Sequence, residues 1–399
     1  MSSKVNVSTL VSSEILSGIL ISVAFAMAIC VANIDLLAQL YKNFVSLPIS
    51  FGYCKFTYQS SLINLVNDGL MTLFFLLIGL ELKFHLVCGE YKDTKTLALP
   101  TAAAVGGIVV PALFYLYFNF GTSTAKGWAI PIATDTAFML GVLSLFSRNI
   151  PAKLRAFIIG FSLIDDAIAL LILAIFYTKS LNAIAMVISV ILLAILFVLN
   201  RQNVRNLYCY IVVGIFLWIS MVEAGIHGTL CGAIFALTIP VQIEGQINDS
   251  FHKLENVLRP FVHFFILPLF VFINSGISFD SLSYEVLTSN ITIGIIVGLF
   301  IGKQLGLLSF SYFAIKMKLC SLPQGVNWST FYGISILGGI GFTLSLFIGD
   351  LTFEDLQPHY AMRVGVIIGS TLSAFLGSAI ILLAQKRTSK NNSIETLGT

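Results

Sequence analysis

Charge is what this chain has least of. Only 10% of its 399 residues are Asp, Glu, Lys or Arg, while 57% are hydrophobic, and mean hydropathy is +0.94. A soluble domain carries about 25% charged residues, so an ordinary water-soluble fold is excluded and an integral membrane protein is indicated. The formal net charge of +3 is too small to attract nucleic acid. Cysteine is sparse as well: Cys30, Cys54, Cys88, Cys209, Cys231 and Cys320 show no Cys-x-x-Cys spacing. That argues against a disulfide framework and a thiolate metal site, and the six read as small hydrophobes. No phosphate-cradling loop is present, because Gly302-Lys303 lacks the upstream glycine and following Ser/Thr of a P-loop. Nor is there a soluble domain, and the polar end, 387–399, reads as a short disordered tail.

What is present is a succession of apolar runs near the ~20 residues a spanning helix needs. They fall at roughly 14–32, 62–85, 97–118, 127–146, 152–177, 181–200, 206–222, 224–240, 258–276, 290–315, 328–350 and 359–385. The expected fold is therefore an all-α integral membrane protein of about twelve transmembrane helices, 1–399 forming one transporter domain. The first run is long enough to span and many spans follow, so it reads as an uncleaved helix rather than a signal peptide. With the N-terminus inside, sixteen basic residues fall on the inner side and five on the outer, with Lys303 left within a span. This bias places both termini in the cytoplasm. One outer loop, Val45–Gln59, alternates apolar and polar residues around Phe51-Gly52, which suits a short β-hairpin or an irregular loop.

Two spans carry helix-breaking residues at mid-depth. The fourth reads AIPIATDTAFML over 129–140, with Pro131 before Thr134-Asp135-Thr136; the eleventh reads ISILGGIGFTLS over 334–345, with Gly338, Gly339 and Gly341. Proline removes a backbone donor and clashes with the preceding turn, and clustered glycines weaken a helix. The glycines equally suit close helix packing. Each span is the middle of a trio, 97–177 and 290–385, and interrupted segments in corresponding positions point to a transport site between inverted repeats.

The costliest residues lie in FSLIDDAIALL, 161–171, where Asp165 and Asp166 sit side by side in an apolar run. An ionisable group deep in a bilayer costs at least a few kcal/mol and marks function by default. Helical rise puts Asp165 roughly 15 Å beyond Arg155, and Asp135 and Lys303 each roughly 20 Å from the inner face, near the middle of a ~30 Å hydrocarbon layer. Three carboxylates and one cation at one level suit exchange of a small hard cation, which prefers oxygen ligands. A carboxylate that must release a proton to bind the ion exchanges one for the other. A structural ion pair of Lys303 with one Asp is the plainer alternative, but it leaves two acids without a role. Glu81 and His85, and Glu255 and Arg259, are i,i+4 pairs near the inner ends of their spans. Such pairs are usually solvated and worth little, the default for Glu255–Arg259. Asp68 and His227 lie toward the outer ends of theirs, and a lone histidine there is usually structural. A membrane-embedded aspartate-dyad enzyme would want its acids on two helices or near the surface, and a channel would not want Lys303 beside the acids. These two, and a different proton-coupled cation transporter, are the competing readings.

Eight ordered motifs give the chain a resemblance over nearly its whole length to NhaA-type sodium/proton antiporters. They are NDGLMTLFFLLIGLELK (67–83), IPIATDTAFMLGVL (130–143), the Ile-Asp-Asp of 164–166, AGIHGTL (224–230), LENVLRPFV (254–262), ILPLFVFINSGIS (266–278), GKQLG (302–306) and GGIGFTLS (338–345). The resemblance implies two interrupted helices that cross, a homodimer through 45–59, and a bacterial inner membrane. It also implies electrogenic, pH-regulated exchange of internal Na+ or Li+ for external H+, without a cofactor. By motif position Asp166 is the principal ligand of the transported cation and carrier of the proton. Asp165 shares that work and pairs with Lys303, Asp135 compensates the facing helix ends, and Thr134 is a further oxygen ligand. Glu81 and Glu255 belong to a pH-responsive region, with His85, Asp68 and His227 along the access path. The chain departs from the family pattern at His85, at Asn256 and Arg259, and at Thr136, which replaces an aliphatic residue beside Asp135. The exchange chemistry is expected intact and the pH response shifted.

Overall fold

Proline and glycine decide where this chain stops being a straight helix. The computed structural model describes residues 7–53, 56–88, 94–146, 151–177, 182–243, 246–353 and 355–397. They divide into two units: Met1–Val23, Asp93–Asp166 and Ile277–Thr399 form the first, Ala24–Lys92 and Ala167–Gly276 the second. The elements, in chain order, are α1 (Val7–Asn33) and α2 (Asp35–Val45), then strands β1 (Pro48–Tyr53) and β2 (Phe56–Ser61). Next come α3 (Leu62–Val87), α4 (Thr94–Asn119), the 3₁₀ helix α5 (Ser123–Ile132), α6 (Thr136–Phe146), α7 (Ala152–Phe176), α8 (Ala183–Arg201), α9 (Leu207–Glu223) and α10 (Gly228–Thr238). After them lie α11 (Asp249–Asn274) and α12 (Asn290–Lys316), then α13 (Trp328–Leu337), α14 (Phe342–Thr352) and α15 (Leu356–Leu397).

Among the described residues nine segments are long and apolar enough to cross a membrane, α13 and α14 counting together as Trp328–Thr352, and α5 and α6 form a further bent pair at 44°. The twelve expected apolar stretches fall on these and on the shorter α9 and α10, of 17 and 11 residues. By length and composition the described residues supply nine crossings, or ten with the bent pair as one span, and α9 and α10 fall below that length. The exposed surface is as apolar as the sequence demands: α8 presents Ile184, Val187, Ile188 and Val190 outward, a face suited to lipid rather than water. The polar stretch from 387 to Leu397, read above as disordered, continues α15 as helix.

In the first unit α4 packs along α12, and the crossing is made by small residues. Gly106 and Gly306 meet backbone to backbone, Gly302 lies on Pro111, and Gly298 lies on Pro131. A Cβ at any of these would collide, so the close approach requires glycine. The fourth span ends its 3₁₀ helix after Pro131, and Ala133 is extended at φ −78°, ψ 146°. The eleventh stops at Leu337 and restarts at Phe342. Nearly all of this span is buried in protein, which is where a membrane protein tolerates non-helical backbone. Both trios thus run continuous helix, broken helix, continuous helix.

In the second unit the outer loop is a hairpin, β1 pairing antiparallel with β2 from Pro48↔Ser61 to Tyr53↔Phe56. Its turn, Cys54 and Lys55, lies outside the described residues. α3 packs on α10, where a Cβ at Gly232 would strike the Thr72 carbonyl. α11 ends under Tyr41, whose hydroxyl donates to the Phe272 and Ile273 carbonyls at 2.6 and 3.0 Å, two acceptors that the helix end leaves orphaned.

Candidate functional site

The two breaks meet, and they satisfy each other. Backbone freed by a broken helix must find partners when no water reaches it. The Asp135 N–H donates to the Ile340 carbonyl at 2.6 Å, the Thr134 hydroxyl to the Gly338 carbonyl at 2.9 Å, and the Ser345 hydroxyl to the Ile130 carbonyl at 2.8 Å. Ser370 of α15 accepts from the Gly341 and Phe342 N–H groups. A Cβ at Gly339 would run into the Leu299 carbonyl and Ser373, and one at Gly341 into Ser345. The glycine cluster is therefore needed for close approach as well as for the break, which joins the two readings the sequence left open.

Asp135 sits at the centre of this crossing. One carboxylate oxygen accepts from the Phe138 N–H at 3.0 Å, at the start of α6. The other accepts from the Thr343 N–H at 3.1 Å and the Thr343 hydroxyl at 2.6 Å, at the start of α14. Two helix N-termini, each with a partial positive charge, thus converge on one buried carboxyl group.

Midway along α7 the adjacent acids part company. Phe161 and Asp165 are i,i+4, as are Ser162 and Asp166, so the two pairs occupy neighbouring faces. On the first face, Lys303 Nζ lies 3.2 Å from both Asp165 oxygens and 5.6 Å from the Phe161 ring centroid. Lys303 is 0% and Asp165 1% exposed, so this pair is sealed from solvent. A π turn over Gly298–Gly302 delivers Lys303, a local widening of the helix that recurs at functional sites. On the second face Asp166 is only half-buried. Ser162 donates to its Oδ2 at 3.4 Å, and the Ser162 and Thr136 hydroxyls are hydrogen-bonded to each other. Asp165, Asp166, Asp135, Thr134, Lys303, Pro131 and the three glycines are thus brought together within the first unit.

The remaining candidates lie in the second unit. Arg259 bridges Glu81 at 3.1 Å and Glu255 at 2.5 Å, and His252 meets the other oxygen of Glu255 at 3.4 Å. The Glu255–Arg259 pair is therefore not the solvated surface pair expected from i,i+4 spacing, since Glu255 is 8% exposed and Arg259 is shared with α3. His252 was not singled out from the sequence, though its i,i+3 spacing to Glu255 was there to be read. His85 stacks edge-on to Phe84, which in turn faces His252. Asp68 and His227 come together at 3.6 Å, so the histidine is not alone. Asp68 lies in a π turn, Leu65–Leu70. Beside it Asn67 and Asn274 exchange amide hydrogen bonds.

Sequence reasoning missed Ser162, Thr343, Ser345 and Ser370 at the crossing, and a cluster in the first unit where Asp350 meets His359 at 2.7 Å and Arg363 at 3.5 Å. Among the described residues no three His, Cys, Asp or Glu side chains come together in a metal-binding group.

Known proteins decide the family. A family model described as "Na+/H+ antiporter 1" matches residues 8–381. The chain belongs to the Na+/H+ antiporter 1 family. It is similar to a protein of Rickettsia massiliae (strain Mtu5) named "Na(+)/H(+) antiporter NhaA", at 57% identity over 93% of both chains. A protein of the same name from Sulfurovum sp. (strain NBC37-1) is 40% identical over 98% of this chain and 99% of its own. "Na(+)/H(+) antiporter NhaA 2" of Shewanella denitrificans is 44% identical over 91% and 92%. Membership of the Na+/H+ antiporter 1 family makes the chain a multi-pass transporter rather than an enzyme, and the aspartate-dyad alternative is not favoured.

Proposed function

We propose that this protein exchanges internal Na+ or Li+ for external H+ at Asp166, with Asp165 and Lys303 as a charge-balancing partner. The observation that carries this reading is the unequal placement of two adjacent acids. Asp166 is reachable and Asp165 is sealed against Lys303. A reachable carboxylate can hold a proton or a hard cation in turn. When the ion leaves and a proton returns, the local charge is restored, so the two fluxes are coupled without further machinery. Crossed helix ends on Asp135 supply fixed dipoles around the site and need no reorganisation as charge comes and goes. Thr134 offers a neutral oxygen next to Asp165.

Besides the proton exchanged at Asp166, the Asp165–Lys303 pair can take up and release a second one, so more than one proton per cation and electrogenic transport are supported. The basic-residue bias supports both termini in the cytoplasm of a bacterial inner membrane. The 45–59 hairpin presents strand edges suited to pairing with a second copy, which supports a homodimer. Arg259, held by Glu81 and Glu255 beside His252, supports pH regulation there, with His85, Asn256 and Arg259 shifting its range. Trios of equal order at 97–177 and 290–385 support inverted repeats. The test is dequenching of a pH-gradient dye in everted vesicles on addition of Na+, Li+ or K+. Dequenching by Na+ and Li+ but not K+ is expected, and no response to Na+ at any pH would defeat the reading.

A further inference from the structure

The faces of α7 divide its polar residues into two sets, and Ser162 shares the second with Asp166. Ser162 lies a helical turn before Asp166 on the same face, is 4% exposed, and donates to Asp166 Oδ2 at 3.4 Å. Its hydroxyl is also bonded to Thr136, the residue at which α6 restarts after the break. A serine inside a helix usually returns its hydrogen to the carbonyl four residues earlier. Ser162 instead turns toward a carboxylate and a second hydroxyl. At 3.4 Å the contact is well beyond the ~2.5–2.7 Å of a charge-assisted O–H···O bond. Ser162 and Thr136 therefore place two hydroxyls beside Asp166.

We infer that Thr136 and Ser162 form, with Asp166, the oxygen set that grips the transported cation, and that they determine its affinity and Na+/Li+ preference. The inference rests on the reading of Asp166 as the ion-holding carboxylate. The argument is one of donor chemistry. A small hard cation wants several oxygens, and among the described residues no third acid or histidine converges with Asp165 and Asp166. Asp165 is engaged by Lys303 through both oxygens, so neutral oxygens must complete the shell. Hydroxyls suit every state of the cycle, being both donor and acceptor. With Asp166 empty, Ser162 donates to the carboxylate and Thr136 to Ser162. With Asp166 protonated, the carboxylic O–H has Ser162 as acceptor. With the cation present, both hydroxyls rotate to turn lone pairs toward it. Aliphatic side chains at 136 and 162 could serve in none of these states. The sequence reading took Thr136 only as a departure, and its partner Ser162 explains why a hydroxyl is there.

The test is Na+ and Li+ dependence of exchange in proteoliposomes, normalised to folded protein. The variants are Thr136→Val, Ser162→Ala, the pair together, and the conservative Thr136→Ser and Ser162→Thr. A bond from a hydroxyl to a charged group is worth enough that each loss raises the apparent KM for Na+ about tenfold or more. The expected result is that rise with little change in maximal rate, an altered Na+/Li+ ratio, and near-native behaviour of the conservative variants. An unchanged KM for both ions in the double variant overturns the inference. So does an equal rise in the conservative variants, which would mark a packing role. Asp166→Asn is run alongside: if it still binds 22Na+, the site itself is misassigned, whereas loss of binding with no effect at 136 and 162 refutes only the hydroxyls.

Discussion

Removing either member of the Asp165–Lys303 pair should harm the protein more than removing both. At 3.2 Å two unit charges attract by about 5 kcal/mol at an effective dielectric of about 20. Burying each ion costs several kcal/mol, so the pair as a whole contributes little net stability. A single deletion keeps one burial cost and loses the attraction. With Lys303 0% and Asp165 1% exposed, no water steps in, and Lys303→Met or Asp165→Asn should each cost about 3–5 kcal/mol. The double variant should cost clearly less than the sum. Its coupling energy should lie at or above the upper end of the ~0.5–3 kcal/mol range for residues sharing a network. The assay is a double-mutant cycle on detergent-solubilised protein, with unfolding followed against increasing SDS fraction. Additive single losses, or a double variant worse than both, would refute the argument that the two charges exist to balance each other.

Asp135→Ala should lose both exchange and stability, because three N–H or O–H donors from two helix starts lose their acceptor; Asp135→Asn, which keeps an acceptor, should retain fold in circular dichroism and lose mainly rate. Gly339→Ala should destabilise by about 1–3 kcal/mol as an overpacked site, since its Cβ meets the Leu299 carbonyl and not a flexible side-chain end; SDS unfolding checks it. Arg259→Ala should leave Glu81 and Glu255 without their shared cation and displace the pH profile of vesicle exchange; a profile superimposable on wild type would remove this triad from pH control.

The apolar spans were legible from length and hydropathy, and the two broken helices and the four mid-span charges because each violates what a lipid-facing helix asks for. Charge in an apolar run is costly enough to stand out in a sequence. A hydroxyl in a helix is not, since serine and threonine satisfy themselves on their own backbone, so Ser162, Thr343, Ser345 and Ser370 left no trace. The choice of Asp165 as the partner of Lys303 came from resemblance, although the phase of α7 carries it: Phe161 and Asp165 share a face. Glu255–Arg259 was misread because i,i+4 spacing describes one helix and says nothing of Glu81 on another. Asp350, His359 and Arg363 lie on two helices, α14 and α15, and meet only in the fold. The π turn that delivers Lys303 depends on the packing of Gly298 and Gly302 against Pro131 and Pro111, which sequence order does not express.

The central claim is that one carboxylate holds either the proton or the cation. Adding Na+ to purified protein in weakly buffered detergent solution tests it most directly, because binding must then release protons into the medium. The account predicts acidification that saturates with Na+ and vanishes in Asp166→Asn. Saturable 22Na+ binding without proton release, or release that survives in Asp166→Asn, would contradict it.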